Sequence, residues 1–243
     1  FEKLKHFYKQ NNGWLFGHLG YDLKNETEKL SSANFDGIGF DDMHFFVPQV
    51  VLKLSEKEVH IFCDDSAQKV FDTIRSEPSI ISASKQAAIN IKNKITKPAY
   101  IDTIQKLQQY ILRGDCYEIN FCQEFYARDI DLHPARVFAA LSAISPTPFA
   151  AFYRNQHNYL LCASPERYLQ TSGQHIISQP IKGTWKRDRD DEEADALNRG
   201  QLYTNAKERS ENVMVVDLVR NDLSKICEAG SVQVDELFGI YSF

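Results

Sequence analysis

The run Val213-Met214-Val215-Val216-Asp217-Leu218-Val219 lies in the middle of a segment that reads as one long helix, from near Asn205 to about Cys227. Its centre is apolar on nearly all sides, which predicts burial in the interior and requires other layers to cover it. Those layers read mainly as strands. Trp14 to Tyr21 is aromatic and punctuated by glycine, as suits a strand approached closely by another backbone. Met43 to Leu54 and Lys57 to Cys63 read as two strands joined by a tight hairpin at Ser55-Glu56. Phe149 to Tyr153 pairs with Tyr159 to Ala163, Tyr168 to Thr171 pairs with His175 to Ile181, and Tyr117 to Arg128 alternates as a further strand. Helices are predicted over Tyr100 to Arg113, where Ile101, Ile104, Leu107 and Ile111 recur at helical spacing, over Pro134 to Ile144, and over Asp191 to Tyr203. Strands first and helices inserted later indicate an α+β fold. The expected form is mainly antiparallel sheets in a sandwich-like core with helices packed outside, rather than a doubly wound sheet.

The polar stretch 76–98, rich in Ser, Lys and Ala, separates an N-terminal region, 1–75, from a second region, 99–243. A formal charge of −5 gives no reason to expect nucleic-acid binding. The five cysteines include no Cys-x-x-Cys pair, which argues against structural zinc, and their odd number in a large chain fits a reducing cytoplasm. No apolar run reaches the roughly 18 residues of a membrane span. Phe1-Glu2-Lys3-Leu4 and Gly239-Ile240-Tyr241-Ser242-Phe243 both read as internal cuts in a longer protein.

Pro180-Ile181-Lys182-Gly183-Thr184 places a lysine between an extended apolar stretch and a glycine turn. A lysine after a strand is ordinarily a solvated surface residue. Held on a strand end opposite a carboxylate-bound metal, it can be a nucleophile, provided burial or a nearby cation lowers its pKa from about 10.4. Glu208 and Glu211, three apart on a helix, share one face and suit Mg²⁺, a hard ion that takes a few carboxylates and keeps waters. Asn205-Ala206-Lys207-Glu208 equally fits a capping box, and from spacing alone that ordinary role is the stronger one. Lys207 and Arg209 can pair with neighbouring acids. Asp217, Arg220, Asn221 and Asp222 read as a structural ion-pair network, Ser164-Pro165-Glu166-Arg167 as a polar turn, and Cys116 as a half-buried structural thiol.

Four ordered segments resemble the chorismate-utilising enzymes, most closely the aminodeoxychorismate synthase branch. They are Gly114-Asp115-Cys116-Tyr117-Glu118-Ile119-Asn120, Ala163-Ser164-Pro165-Glu166-Arg167-Tyr168-Leu169, Pro180 to Thr184, and Ala206 to Leu223; Cys227 to Val232 follows as that family has it. Trp14 to Leu23 resembles the family's N-terminal strand more weakly. By this resemblance 99–243 is the N-terminal part of a chorismate-binding catalytic domain. Lys182 would attack C2 of chorismate, Gly183 and Thr184 would line the substrate pocket, and Glu208 and Glu211 would be one pair of Mg²⁺-site glutamates, Glu211 ligating directly and Glu208 through water. The implied reaction makes 4-amino-4-deoxychorismate, for 4-aminobenzoate and folate synthesis, with ammonia from a glutamine amidotransferase partner.

The resemblance also implies departures. Anthranilate and isochorismate synthases, the alternative reading alongside an inactive scaffold, usually carry alanine where this chain has Lys182. The family's second glutamate pair, its catalytic histidine strand and its carboxylate-gripping Arg and Lys would lie after Phe243. The chain alone is therefore expected to be inactive. Ser145-Pro146-Thr147-Pro148-Phe149 lacks the Pro-Tyr-Met-like sequence of tryptophan-regulated relatives.

Overall fold

The computed structural model describes residues 1–11, 13–78 and 89–242. In chain order the elements are α1 (Glu2–Gln10), β1 (Phe16–Leu19), α2 (Lys24–Thr27), β2 (Met43–Phe46), β3 (Val50–Leu54), β4 (Val59–Cys63), α3 (Ala67–Ser76), β5 (Lys92–Asn93) and α4 (Lys97–Leu112). After these come β6 (Phe125–Tyr126), α5 (Pro134–Ile144), β7 (Phe149–Asn155), β8 (Asn158–Ser164), β9 (Arg167–Ser172), β10 (His175–Gln179), α6 (Glu192–Thr204) and α7 (Ala206–Ser224). The fold is α+β, and every described strand pair is antiparallel. The strands form two-stranded ribbons: β1–β2, β3–β4, β5–β6, β7–β8 and β9–β10. The chain divides into two compact units, Phe1–Ser79 with Phe138–Phe243, and Ile80–Val137. Of the linker expected over 76–98, 79–88 lie outside the described residues, and the rest holds the end of α3, β5 and the start of α4.

Local chemistry explains most boundaries. Thr96 caps α4, its side chain accepting from the Ala99 N–H, and Pro98 lies in the first turn, where a missing N–H costs nothing. Phe149 pairs with Ser164 and Asn155 with Asn158, leaving a two-residue turn with Gln156 at φ 53°. At Gly17 an added Cβ would run into the His44 carbonyl, so the β1–β2 ribbon tolerates only glycine there.

Two expected strands come out shorter. Met43 to Leu54 is broken at Val47-Pro48-Gln49, because proline has no N–H to give a ladder. Of Tyr117 to Arg128 only Phe125–Tyr126 is strand. Ahead of it the Gln123 side chain takes a backbone partner's place. Its Oε1 accepts from the Ile95 N–H at 3.1 Å and its Nε2 donates to the Ile95 carbonyl at 2.7 Å.

Within the larger unit, β1 is clasped to β7. His18 Nε2 lies 2.8 Å from the Asp41 carbonyl, which can only accept, so in the neutral ring Nδ1 accepts from the Tyr153 hydroxyl at 3.1 Å. Phe40 stacks on Tyr153 and meets His18 edge-on, and Asn158 Nδ2 donates to the Gly39 carbonyl at 3.1 Å. Burial, with the Asp41 carboxylate beside it, raises the Tyr153 pKa.

The expected interior position of Val213 to Val219 is not found. Val213 is 47% and Leu218 57% exposed, and among the described residues Leu23 is the one hydrophobic side chain that is buried. The apolar faces are formed, but among the described residues nothing closes over them.

Candidate functional site

The lysine-bearing segment leaves β10 and is fastened to the turn between β8 and β9. Arg167 Nε donates to Gln179 Oε1 at 2.8 Å, and Ser178 Oγ donates to the Tyr168 carbonyl at 2.9 Å. Beyond the ribbon, the Ile181 N–H donates to Glu166 Oε1 at 3.2 Å. Sequence reasoning left Glu166 in a plain polar turn. Its place one pairing step beyond the Arg167–Gln179 pair was the available signal. Lys182 itself is half-buried, and Thr184 is exposed.

Gly183 has φ +76°, in the region that glycine alone adopts freely. It also meets α7. A Cβ built on Gly183 would lie 2.8 Å from Glu208 Oε2 and 3.2 Å from Glu208 Cβ. The turn that follows Lys182 is therefore packed directly on the Glu208 side chain, so segments 25 residues apart meet at one point.

The start of α7 shows why Glu208 can face that turn. Asn205 is the cap, its Oδ1 accepting from the N–H groups of Lys207 at 3.0 Å and Glu208 at 3.1 Å. A full capping box would send the Glu208 carboxylate back to the Asn205 N–H. That N–H instead donates to the Leu202 carbonyl at 3.3 Å, at the end of α6. Only half of the box forms, and the Glu208 carboxylate points elsewhere.

Lys207 reaches both acids. Its Nζ is 3.1 Å from Glu211 Oε1 and 3.6 Å from Glu208 Oε1. The Glu211 hydrogen bond, helped by both negative charges, raises the Lys207 pKa. The carboxylates are 23% and 33% exposed, while the lysine is 74% exposed. Arg209 turns away to the Tyr203 carbonyl and lies over the Phe238 ring at 3.7 Å. Asn212 Oδ1, one turn beyond Glu208, is buried without a hydrogen-bond partner.

Two carboxylates on one helical face, with an ammonium already drawn to them, make a hard-oxygen donor set that suits Mg²⁺ with its remaining positions taken by water. Among the described residues no group of three or more His, Cys, Asp or Glu forms a fuller cation site. The expected network around Asp217 and Asp222 resolves into two exposed helical pairs, Arg220–Asp217 at 3.3 Å and Lys225–Asp222 at 2.9 Å. No described helix is long and apolar enough to cross a membrane.

Residues 1–243 match the profile of the chorismate binding enzymes. The chain is 32% identical over 236 residues to aminodeoxychorismate synthase component 1 of Klebsiella aerogenes, covering 95% of this chain and 51% of that protein. It is 31% identical over 235 residues to an anthranilate synthase component I-like protein of Synechocystis, covering 95% of this chain and 48% of the other. The crystal structure of anthranilate synthase component I from Streptococcus pneumoniae superposes with a TM-score of 0.80 at 26% identity, over 95% of this chain and 54% of that one. The chain thus spans about half the length of the relatives it matches.

Proposed function

The chain belongs to the chorismate-binding enzymes, and on that premise we propose that it carries the lysine-bearing part of an aminodeoxychorismate synthase acting in the cytoplasm. The reaction converts chorismate and ammonia to 4-amino-4-deoxychorismate. One observation above all supports this reading: the turn after Lys182 packs on Glu208, the first of two carboxylates on one face of α7.

In the proposed sequence the neutral Lys182 amine attacks C2 of chorismate. The C2–N bond forms, the ring double bonds shift, and the C4–O bond breaks, so that the hydroxyl leaves as water after gaining a proton. Ammonia then forms a bond to C4. The double bonds shift back, the C2–N bond to lysine breaks, and the amine is regenerated. The chain's residues hold this geometry. Glu166 fixes the backbone just before Lys182, and Gly183 turns the chain behind it. Glu208 and Glu211 would hold Mg²⁺, which would supply positive charge for an anionic substrate. Gly183 and Thr184 line the substrate side. A glutamine amidotransferase, as a separate subunit or a fused domain, delivers the ammonia.

Anthranilate-type chemistry is the second reading, favoured by the Synechocystis relative and the Streptococcus structure. Lys182 weighs against it. The test is Lys182→Ala in the full-length protein, assayed with chorismate and ammonia. Aminodeoxychorismate formation is expected to fall sharply, and a residual switch toward anthranilate is compatible with the reading. Wild-type turnover by the alanine variant at limiting ammonia would refute the nucleophile role. Anthranilate as the wild-type product would establish the second reading instead.

A further inference from the structure

Lys207 has the geometry of a counter-ion that the carboxylate pair keeps for itself. We infer that Lys207 is the resident cation of the Glu208–Glu211 pair, and that it must leave before a divalent cation binds there, so that it sets a deliberately modest metal affinity. The inference rests on the metal-site reading given above.

The argument is geometric and electrostatic. Glu208 and Glu211 are like charges on one helical face, and α7 begins only two residues before Glu208, so both side chains lie close to its start. Such a pair is costly without a cation between or beside it. The Lys207 ammonium approaches an oxygen of each carboxylate, at 3.6 Å and 3.1 Å, where a cation serving both would sit. Arg209, the other cation on this turn, is engaged by the Tyr203 carbonyl and the Phe238 ring and does not compete for the position. Glu208 is also backed by Gly183, so its carboxylate has little room to swing away from the lysine.

Removing the Lys207 charge acts in the same direction in both states. Without metal, the two carboxylates lose the cation that screens them. With metal, an adjacent positive charge that would repel the ion is gone. Both effects tighten metal binding. The ammonium is mostly exposed, so release is easy and the effect is moderate. It should be about two- to fivefold in affinity, the range that one or two exposed ion pairs supply. A lysine whose main task was to hold the carboxylates in a binding geometry would give the opposite sign.

The experiment uses full-length protein and Mn²⁺ as the probe, with free aquo-Mn²⁺ followed by electron paramagnetic resonance in the absence of substrate. Lys207→Met keeps the aliphatic stem and removes the charge. Lys207→Arg keeps the charge. Thermal melts without metal establish that each variant is folded. The methionine variant should bind Mn²⁺ about two- to fivefold more tightly, and the arginine variant should stay near wild type. Equal or weaker binding by folded Lys207→Met overturns the inference while leaving the metal site standing. A Glu208→Gln/Glu211→Gln variant separates the two failures. If it binds Mn²⁺ as well as wild type, or if wild type binds none, the metal-site reading itself fails and the inference falls with it.

Discussion

Gly183 is constrained twice, by its backbone angle and by its neighbour. Alanine at φ +76° costs about 1–2 kcal/mol from the left-handed conformation alone. The collision of its Cβ with Glu208 adds to that. Gly183→Ala is therefore expected to lower stability by more than the conformational cost, and by less in a Glu208→Ala background, which removes the carboxylate contact at 2.8 Å and leaves the one to Cβ at 3.2 Å. Urea midpoints for the double-mutant cycle decide it, and strictly additive effects would remove the proposed contact. Glu166 gives a second residue-level test. Glu166→Gln keeps an acceptor for the Ile181 N–H, whereas Glu166→Ala leaves that donor without it. The alanine variant should lose more synthase activity than the glutamine variant, and equal losses would show that the bond does not position the segment. These contacts were only partly legible in the sequence. Lys182, Glu208 and Glu211 stood out by residue type and spacing, but spacing could not separate a metal-site glutamate from a capping box. Whether the box closes depends on where the Asn205 N–H goes, and at the junction with α6 it goes to the Leu202 carbonyl. Glu166 has its partner 15 residues away, a backbone N–H that only an extension of the β9–β10 pairing by one step points to.

Between β10 and α6 an ion pair organises the chain that follows the lysine segment. Arg187 reaches Asp195 in the first turn of α6 with Nη2 at 2.6 Å and Nε at 3.1 Å, and the Asp188 N–H donates to the same carboxylate at 3.0 Å. The Arg187 hydrogen bond, chiefly, holds the Asp195 pKa below the usual carboxylate value. A carboxyl depressed in the folded state stabilises it above the unfolded pKa, and that contribution is lost as pH falls through the folded value. Nuclear magnetic resonance titration should find Asp195 below about 3.9 in wild type and nearer that value in Arg187→Met. An ordinary Asp195 in wild type would sink this account. At this scale the helices with clear caps and periodicity, α4 to α7, were readable, as were the hairpins β7–β8 and β9–β10. Three helices were not, and of these α2 is a single turn, too short to show a period. In α1 the signal was Leu4, Phe7 and Tyr8, and in α3 it was Ser66 followed by Val70, Phe71 and Ile74. Both were hidden among charges. The strand expected over Tyr117 to Arg128 failed for another reason, since periodicity cannot reveal a glutamine side chain standing in for a backbone.

The burial expected of α7 went unmet for a reason outside the local sequence: an apolar helix calls for a cover, and no described element provides one on that side. Apolar side chains exposed to this extent favour association. A polypeptide of residues 1–243 alone should bind a hydrophobic dye and self-associate on light scattering, and it should not turn over chorismate. A monodisperse monomer that consumed chorismate briskly would contradict both expectations. The bond between His18 and Tyr153 has a consequence in time rather than in space. The partners are 135 residues apart, whereas the β7–β8 turn closes over two residues. Closing a longer loop costs more entropy, so the short ribbons can form early and the long-range bond late. Interactions absent from the folding transition state act on the unfolding rate. In a chevron plot for full-length protein, His18→Ala should steepen the loss of structure by raising the unfolding limb, while the refolding limb stays almost where it was. On that account the histidine slows the protein's coming apart and has little part in how fast it assembles.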